Sequence, residues 1–240
     1  MRPMAEPSPR YSLVPLHETF LSPSPPETTE VLLVRHGQQE VIADPTKTRE
    51  ERTNPPLSAV GRRQAKVVAA ALAEEDIAAV YTSTLSRARD TGAAIAAHHD
   101  LEIQQVPGIE EIGLFQNLTD SNAPLGADPR LWAGAAALFS RNRSWDAYPM
   151  GETSLEFRRR VVTGIESVVA QHTGEVVVIA CHGGVINTYL AWTLGLPQDM
   201  WFLPAHASIS RFRALGALRS LISVNERTHL SASDPELVSY

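Results

Sequence analysis

The chain has 240 residues, enough for one sizeable α/β core or two small domains at most. Its 43% hydrophobic and 20% charged content is ordinary for a soluble globular protein, and a net charge of −6 argues against wholesale binding to nucleic acid or anionic membrane. A single cysteine, Cys181, excludes an internal disulfide.

Residues 1–29 hold seven prolines among many Ser and Thr and predict a flexible arm. They lack the charged-then-apolar pattern of a secretory signal, and no apolar run nears the roughly 18 residues that span a bilayer, so a soluble, cytoplasmic protein is expected. Order is expected from Glu30 onward, as one catalytic domain over 30–240. "VLLV" at 31–34 is continuously apolar, the pattern of a strand buried on both faces. Gln38 to Pro56 is polar with three prolines and reads as a long loop. Ser58 is a good N-cap, and Val60, Val67, Val68, Ala71 and Leu72 predict a helix over 59–74. "IAAVY" at 77–81 is the next strand, 85–98 an alanine-rich helix and "LEIQQV" at 101–106 a third strand.

Residues 114–150 are irregular and read as an insertion with short helices. Its Trp132, Phe139, Trp145 and Tyr148 could stack on a sugar but are better explained as local packing of a small cap. Thr153 and Glu156 form a capping box, which opens a helix carrying Leu155, Val162, Ile165 and Val169 on one face. "EVVVIA" at 175–180 is a second fully apolar strand. A helix follows it, and "SISRFRA" and "LRSLISV" are the last strands. Strands alternating with helices predict a three-layer α/β/α sandwich with a mainly parallel sheet and a small insertion as a cap over the active site.

Chemistry is concentrated at two strand ends. Arg35-His36-Gly37 follows the first buried strand, and ligands of open α/β sheets sit at the carboxyl ends of strands. Histidine is a nucleophile at neutral pH because its ring is partly unprotonated there. Arginine forks two donors onto a phosphate, and glycine lets the backbone come close. Arginine also dominates the positive charge, the only lysines being Lys47 and Lys66. Cys181-His182-Gly183-Gly184 repeats the arrangement after the second buried strand, with a helix N-terminus behind it that adds backbone N–H groups.

With these residues in place, the sequence resembles the histidine phosphatase superfamily, in its phosphoglycerate-mutase-like branch, over roughly residues 30–225. "LLVRHG" matches the nucleophile motif, which implies that His36 accepts the phosphoryl group and Arg35 contacts it. "PLSAVGRRQA" at 56–65 resembles the helix after the first loop. "STLSRARDT" at 83–91 resembles the segment that supplies the second arginine, Arg87. "IEEI" at 109–112 resembles the segment with the acid, best aligned on Glu111 with Glu110 in reserve. "GETSLEFRRRV" and "CHGGVI" are similar to the last helix start and the second histidine, His182. Arg87 and Arg89 point about 200° apart on a helix, so only one can face a pocket. Two positions depart from the pattern: Gln39 stands where a Ser or Thr is common, and Ile42 where an Asn is. The basic clamp of mutases is also missing, since 114–127 has no Arg or Lys.

The expected reaction is hydrolysis of a phosphate monoester by way of phosphohistidine. Arg35, Gly37, Arg87, His182 and the Gly183 N–H would bind the phosphate, Glu111 would be the proton donor, and neither metal nor cofactor would take part. The alternatives are a phosphomutase or a phosphate-binding module without turnover. The expected partner is a small-molecule phosphate ester, with no nucleic acid or membrane, and a homodimer stays open. Cys181 reads as a small buried strand-end residue, His98 and His99 as surface residues at a helix end, and His206 as an outside candidate for the pocket rim.

Overall fold

The structure, a computed structural model, describes residues 25–42, 44, 46–114, 129–148 and 151–240. Most of the expected N-terminal arm, 1–24, and the 115–128 stretch of the expected insertion lie outside the described residues. Among those described, no helix is long and apolar enough to cross a membrane.

In chain order the elements are β1 (Thr29–Arg35), α1 (Arg49–Thr53), α2 (Ala59–Ala71), β2 (Ile77–Thr82), α3 (Ser86–Ala96), β3 (Ile103–Gln105) and α4 (Pro129–Asn142). Next come α5 (Ser154–Val169), β4 (Val176–Cys181), α6 (Gly183–Thr193), β5 (Ile209–Leu215), β6 (Leu218–Glu226) and α7 (Thr228–Ser233). The six strands form one sheet in the order β3-β2-β4-β1-β5-β6. The first four run parallel, and β5 is antiparallel to both of its neighbours.

The apolar runs explain the layers. Val31 to Val34 are all buried because successive side chains enter opposite faces and both faces are covered. Val31 and Leu33 join α5 and α6 in one core, through Phe157, Val161, Ile165, Ile186 and Tyr189. Leu32 and Val34 join α2 and α3 in the other, through Val68, Leu72 and Ile95. Each such side chain contributes roughly 1.5–3 kcal/mol by leaving water.

The caps at Ser58 and Thr153 are formed as expected. Of the face expected for α5, Ile165 and Val169 are buried and Val162 packs against the core, but Leu155 is 68% exposed. Phe157, Val161, Gly164 and Val168 complete the buried stripe. The period from Phe157 is the better helical match, and Leu155 falls on the same side as Arg158 and Arg159. The loop 38–56 holds an unexpected short helix, α1, closed by a capping box between Thr48 and Glu51. The described part of the insertion holds one 14-residue helix, α4, and a short 3-10 helix at Trp145–Ala147. The insertion's aromatic rings pack on each other, Phe139 against Trp145 at 4.7 Å and Trp132 against Tyr148 at 5.8 Å, which is the local packing expected of them.

Gly61 lets α2 dock under the loop that follows β1. A Cβ there would lie 1.9 Å from the Gln38 carbonyl oxygen, whereas one on Gly134 of α4 would meet nothing within 4 Å. Gly61→Ala should therefore cost at least about 1–3 kcal/mol in urea unfolding, the scale of overpacking. Gly134→Ala should instead gain about 0.5–1 kcal/mol, as a glycine replaced inside an exposed helix does.

Candidate active site

The sheet register assembles the site. Arg35 at the end of β1 pairs with Cys181 at the end of β4, and the His36 amide donates to the Cys181 carbonyl at 2.9 Å. The next residue on each strand is a histidine, so the two rings stand side by side with centroids 5.1 Å apart. On the far side of β4, Thr82 of β2 pairs with Ala180 and the Ser83 amide donates to the Ala180 carbonyl. The chain then turns into α3, whose first turn carries Arg87. The amide after β3, Val106, donates to the Thr82 carbonyl, and the loop beyond it carries Glu111. Because β5 is antiparallel, its amino end reaches the same edge and brings His206.

Hydrogen bonds define the state of His36, which is 4% exposed. Its Nδ1 lies 2.7 Å from the Gly37 carbonyl oxygen, a group that can only accept, so Nδ1 carries the ring proton. Nε2 is then bare, and it accepts from Arg87 Nε at 3.2 Å. Burial pushes the His36 pKa well below 6.5, and the neighbouring His182, Arg87 and Arg35 push in the same direction. The ring is therefore neutral and its free lone pair is on Nε2. The Gly37 amide is held by Thr91 Oγ1 at 3.0 Å, and Thr91 in turn donates to the Arg87 carbonyl.

Arg87 is 5% exposed and Arg89 is on the surface, which places one arginine of the pair in the site and the other in solvent. Burial lowers the pKa of Arg87, with Glu111 acting in the opposite sense. Burial likewise brings Arg35 down to about 10, Glu111 opposing and Arg87 adding to the effect, so both guanidinium groups remain charged. His182 is fully buried and pushed well below 6.5 by burial and then by Arg87 and Arg35. Its Nε2 meets Ser83 Oγ at 2.8 Å. Two buried donors or acceptors of this cluster, Arg35 Nε and His182 Nδ1, have no partner among the described residues. Two cations and two unpaired polar atoms beside a helix N-terminus suit an oxyanion.

The two acids separate clearly. Glu110 is spoken for: its carboxylate accepts from Thr84 Oγ1 at 2.8 Å and the Gly108 amide at 2.9 Å. Glu111 faces the cleft, where it accepts from the Ile112 amide at 3.1 Å and the Gly184 amide at 3.2 Å. A Cβ at Gly184 would lie 2.3 Å from Glu111 Oε1 and would push this carboxylate out of its place. The cleft has a volume of about 760 Å³. Beyond Arg35, His36, Arg87 and Glu111, its walls come from Gln38, Gln39, Glu40, Val41, Ser58, His206 and Tyr240. His182 and Gly183 stand behind the open cleft, beside His36 and Arg35 respectively.

Some of the site was not singled out from the sequence. Ser83, Thr91 and Tyr240 carry no local signal, and His206 was an outside candidate that proves to touch Arg35. Cys181 is fully buried and burial pushes its thiol pKa up, so it is a packing residue. His98 and His99 lie apart at the end of α3, and among the described residues no cluster of His, Cys, Asp or Glu is placed to hold a metal ion.

Comparison with known proteins agrees with this geometry. A family model described as the histidine phosphatase superfamily (branch 1) matches residues 31–227. The uncharacterised protein Rv0525 of Mycobacterium tuberculosis is 34% identical over 205 residues, covering 84% of this chain and 94% of that protein. The metal-independent phosphoserine phosphatase of Arabidopsis thaliana is 29% identical over 213 residues, covering 80% and 87%. Among solved structures, YhfR of Bacillus stearothermophilus superposes with a TM-score of 0.69 at 24% identity over 84% of this chain and 99% of that one, which shows a shared fold.

The depressed histidines have a measurable signature. In spectra of protein labelled with ¹⁵N-histidine, the His36 ring should remain neutral at about pH 6, with its proton on Nδ1; an imidazolium signal there would overturn the assignment. Because the unfolded rings take up protons near 6.5 and the folded ones do not, their contribution to stability is present above about pH 6.5 and is lost as the pH falls below it. Melting temperature should drop over that window.

Proposed function

The chain belongs to the histidine phosphatase superfamily and is a phosphoric monoester hydrolase, and from that premise we propose that it works through a phosphohistidine on His36. The observation that carries this reading is the bare Nε2 of a buried, neutral His36, anchored through Nδ1 and facing a pocket with two guanidinium groups. We read residues 30–240 as one catalytic unit.

In the first step Nε2 attacks phosphorus in line with the ester oxygen. The N–P bond forms and the P–O bond breaks. Arg35, Arg87, His182 and the Gly183 N–H hold the three equatorial oxygens, and the Arg87 donor that rests on Nε2 passes to one of them. Charge developing on those oxygens meets donors already in place, which is the main source of rate. Glu111 gives a proton to the departing alcohol. In the second step Glu111 takes a proton from water as that water attacks phosphorus. The N–P bond breaks, phosphate is released and His36 recovers its lone pair. The two arginines supply the cationic charge, which fits the metal-independent name of the Arabidopsis relative.

The substrate is read as a small polar alkyl ester. Glutamine, serine and tyrosine side chains beyond the phosphate offer hydrogen bonds to hydroxyl groups, and the phosphoserine named for the Arabidopsis relative is a molecule of this size. Release of inorganic phosphate from a monoester, lost with His36→Ala, separates an enzyme from a binding module, and product analysis with a phosphoglycerate separates a phosphatase from a mutase. Rapid acid-free quenching with labelled substrate should trap the label on His36, and label on Cys181 or a serine would sink the mechanism.

The acid has its own test, based on leaving groups. An alkoxide must receive a proton to depart, whereas an activated aryl oxide leaves without much help. Glu111→Gln should slow an alkyl phosphate by about a hundredfold or more and an activated aryl phosphate only mildly. Glu110→Gln should show no such dependence on the leaving group. The opposite pattern would move the acid to Glu110, and no dependence in either variant would remove both.

A further inference from the structure

Arg35 is held by a turn that the reaction does not use. Its Nη1 donates to the Pro204 carbonyl and its Nη2 lies 3.1 Å from His206 Nε2, so one short segment before β5 braces both ends of the guanidinium. That segment is itself locked to the nucleophile strand. The Ala207 amide donates to the Arg35 carbonyl at 3.0 Å, the Arg35 amide donates to the Ser208 carbonyl, and Ala207 sits at φ 54°, a left-handed conformation unusual for a residue with a Cβ.

A guanidinium can only donate, so His206 Nε2 must accept, and the ring proton must lie on Nδ1. Nδ1 is 3.0 Å from Ser239 Oγ, and the Ser239 carbonyl accepts the His206 amide at 2.8 Å. Ser239 Oγ also receives Gln64 Nε2 at 2.9 Å. Gln64 is fully buried, and its Oε1 accepts the Gln38 amide at 2.7 Å. Gln38 lies three residues after Arg35, so this run of hydrogen bonds from Arg35 through His206, Ser239 and Gln64 to Gln38 is closed by the backbone at the base of the cleft.

We propose that His206, oriented by Ser239, is a positioning residue that holds the Arg35 guanidinium in the attitude in which it takes phosphate. The inference rests on the phosphatase reading above and adds to it two residues of the C-terminal third. Burial and the Arg35 charge bring the His206 pKa down to about 3, so the ring keeps its accepting Nε2 throughout the neutral range. An arginine with five donors has many attitudes, and a fixed acceptor on each side selects one of them. Donors not taken by Pro204 and His206, Nε among them, remain for the substrate.

The test is a double-mutant cycle read by aryl phosphate hydrolysis and by calorimetric titration with inorganic phosphate. His206→Leu should lower kcat/KM by about 10–100-fold and weaken phosphate binding, the scale seen when a group supporting a functional ligand is lost. His206→Gln, which keeps an acceptor, should recover most of that loss. In an Arg35→Ala background, His206→Leu should cost less than about twofold, because the group it acts through is gone. Ser239→Ala, about threefold to tenfold down, carries the same test if His206→Leu does not fold. The proposal is overturned if His206→Leu matches wild type, if its loss is the same with and without Arg35, or if His206→Gln is as poor as His206→Leu. A wild-type protein without His36-dependent hydrolysis would sink the phosphatase reading, and unchanged phosphate affinity in His206→Leu would still overturn this one separately.

Discussion

The pairing of β1 with β4 is the constraint on which the site depends. Arg35 and Cys181 are register partners, so the next residue of each strand leaves the sheet at the same height. A slip of β1 by one residue would turn its apolar run over, sending Val31 and Leu33 to the other core and offsetting the two histidines. The four-residue apolar runs with both faces covered therefore set the distance between two polar rings. Packing and chemistry are specified by the same alignment.

Around that pair the fold builds a site of cations and neutral rings. Desolvation acts on every member, but with different results. An imidazole so placed stays unprotonated and nucleophilic, whereas a guanidinium has so much further to fall that it stays charged. The same low-polarity setting thus suits both of the proposed roles, nucleophile and phosphate clamp, without a titration separating them. Glu111 joins from the loop after the edge strand β3, its two oxygens steered by backbone amides, one of them in the first turn of α6.

Much of this was legible in the sequence, for physical reasons. Apolar runs mark doubly covered strands, and strand ends mark ligand sites, so His36 and His182 could be placed at two strand ends before any coordinates, though nothing placed those strands side by side. Helical periodicity could say that Arg87 and Arg89 diverge, but the choice between them came from family resemblance, and burial now agrees with it. Neighbours such as Glu110 and Glu111 differ only in what the loop finds around it. Thr84 and the Gly108 amide take the first, which no local pattern announces. His206, Ser239 and Gln64 were the least readable. They come from three distant stretches and gain meaning only because an antiparallel strand returns its amino end to the edge where the parallel strands finish. The capping box of α1 was visible in Thr48 and Glu51 but lay in a stretch too polar to suggest a helix. On α5 only Leu155 was misread, because it looked apolar enough to be inside.

The buried thiol at the end of β4 bears on how such an enzyme fares under oxidative stress. Peroxide attacks a thiolate that it can reach. Cys181 offers neither, since the strand encloses it and burial keeps it protonated. It is also the sole cysteine of the chain. A phosphatase whose nucleophile is sulfur stops when that sulfur becomes a sulfenic acid. On the proposed mechanism the attacking atom is nitrogen, and with its one sulfhydryl sealed within the sheet the protein is expected to keep its catalytic centre in an oxidant that silences thiol-based phosphatases.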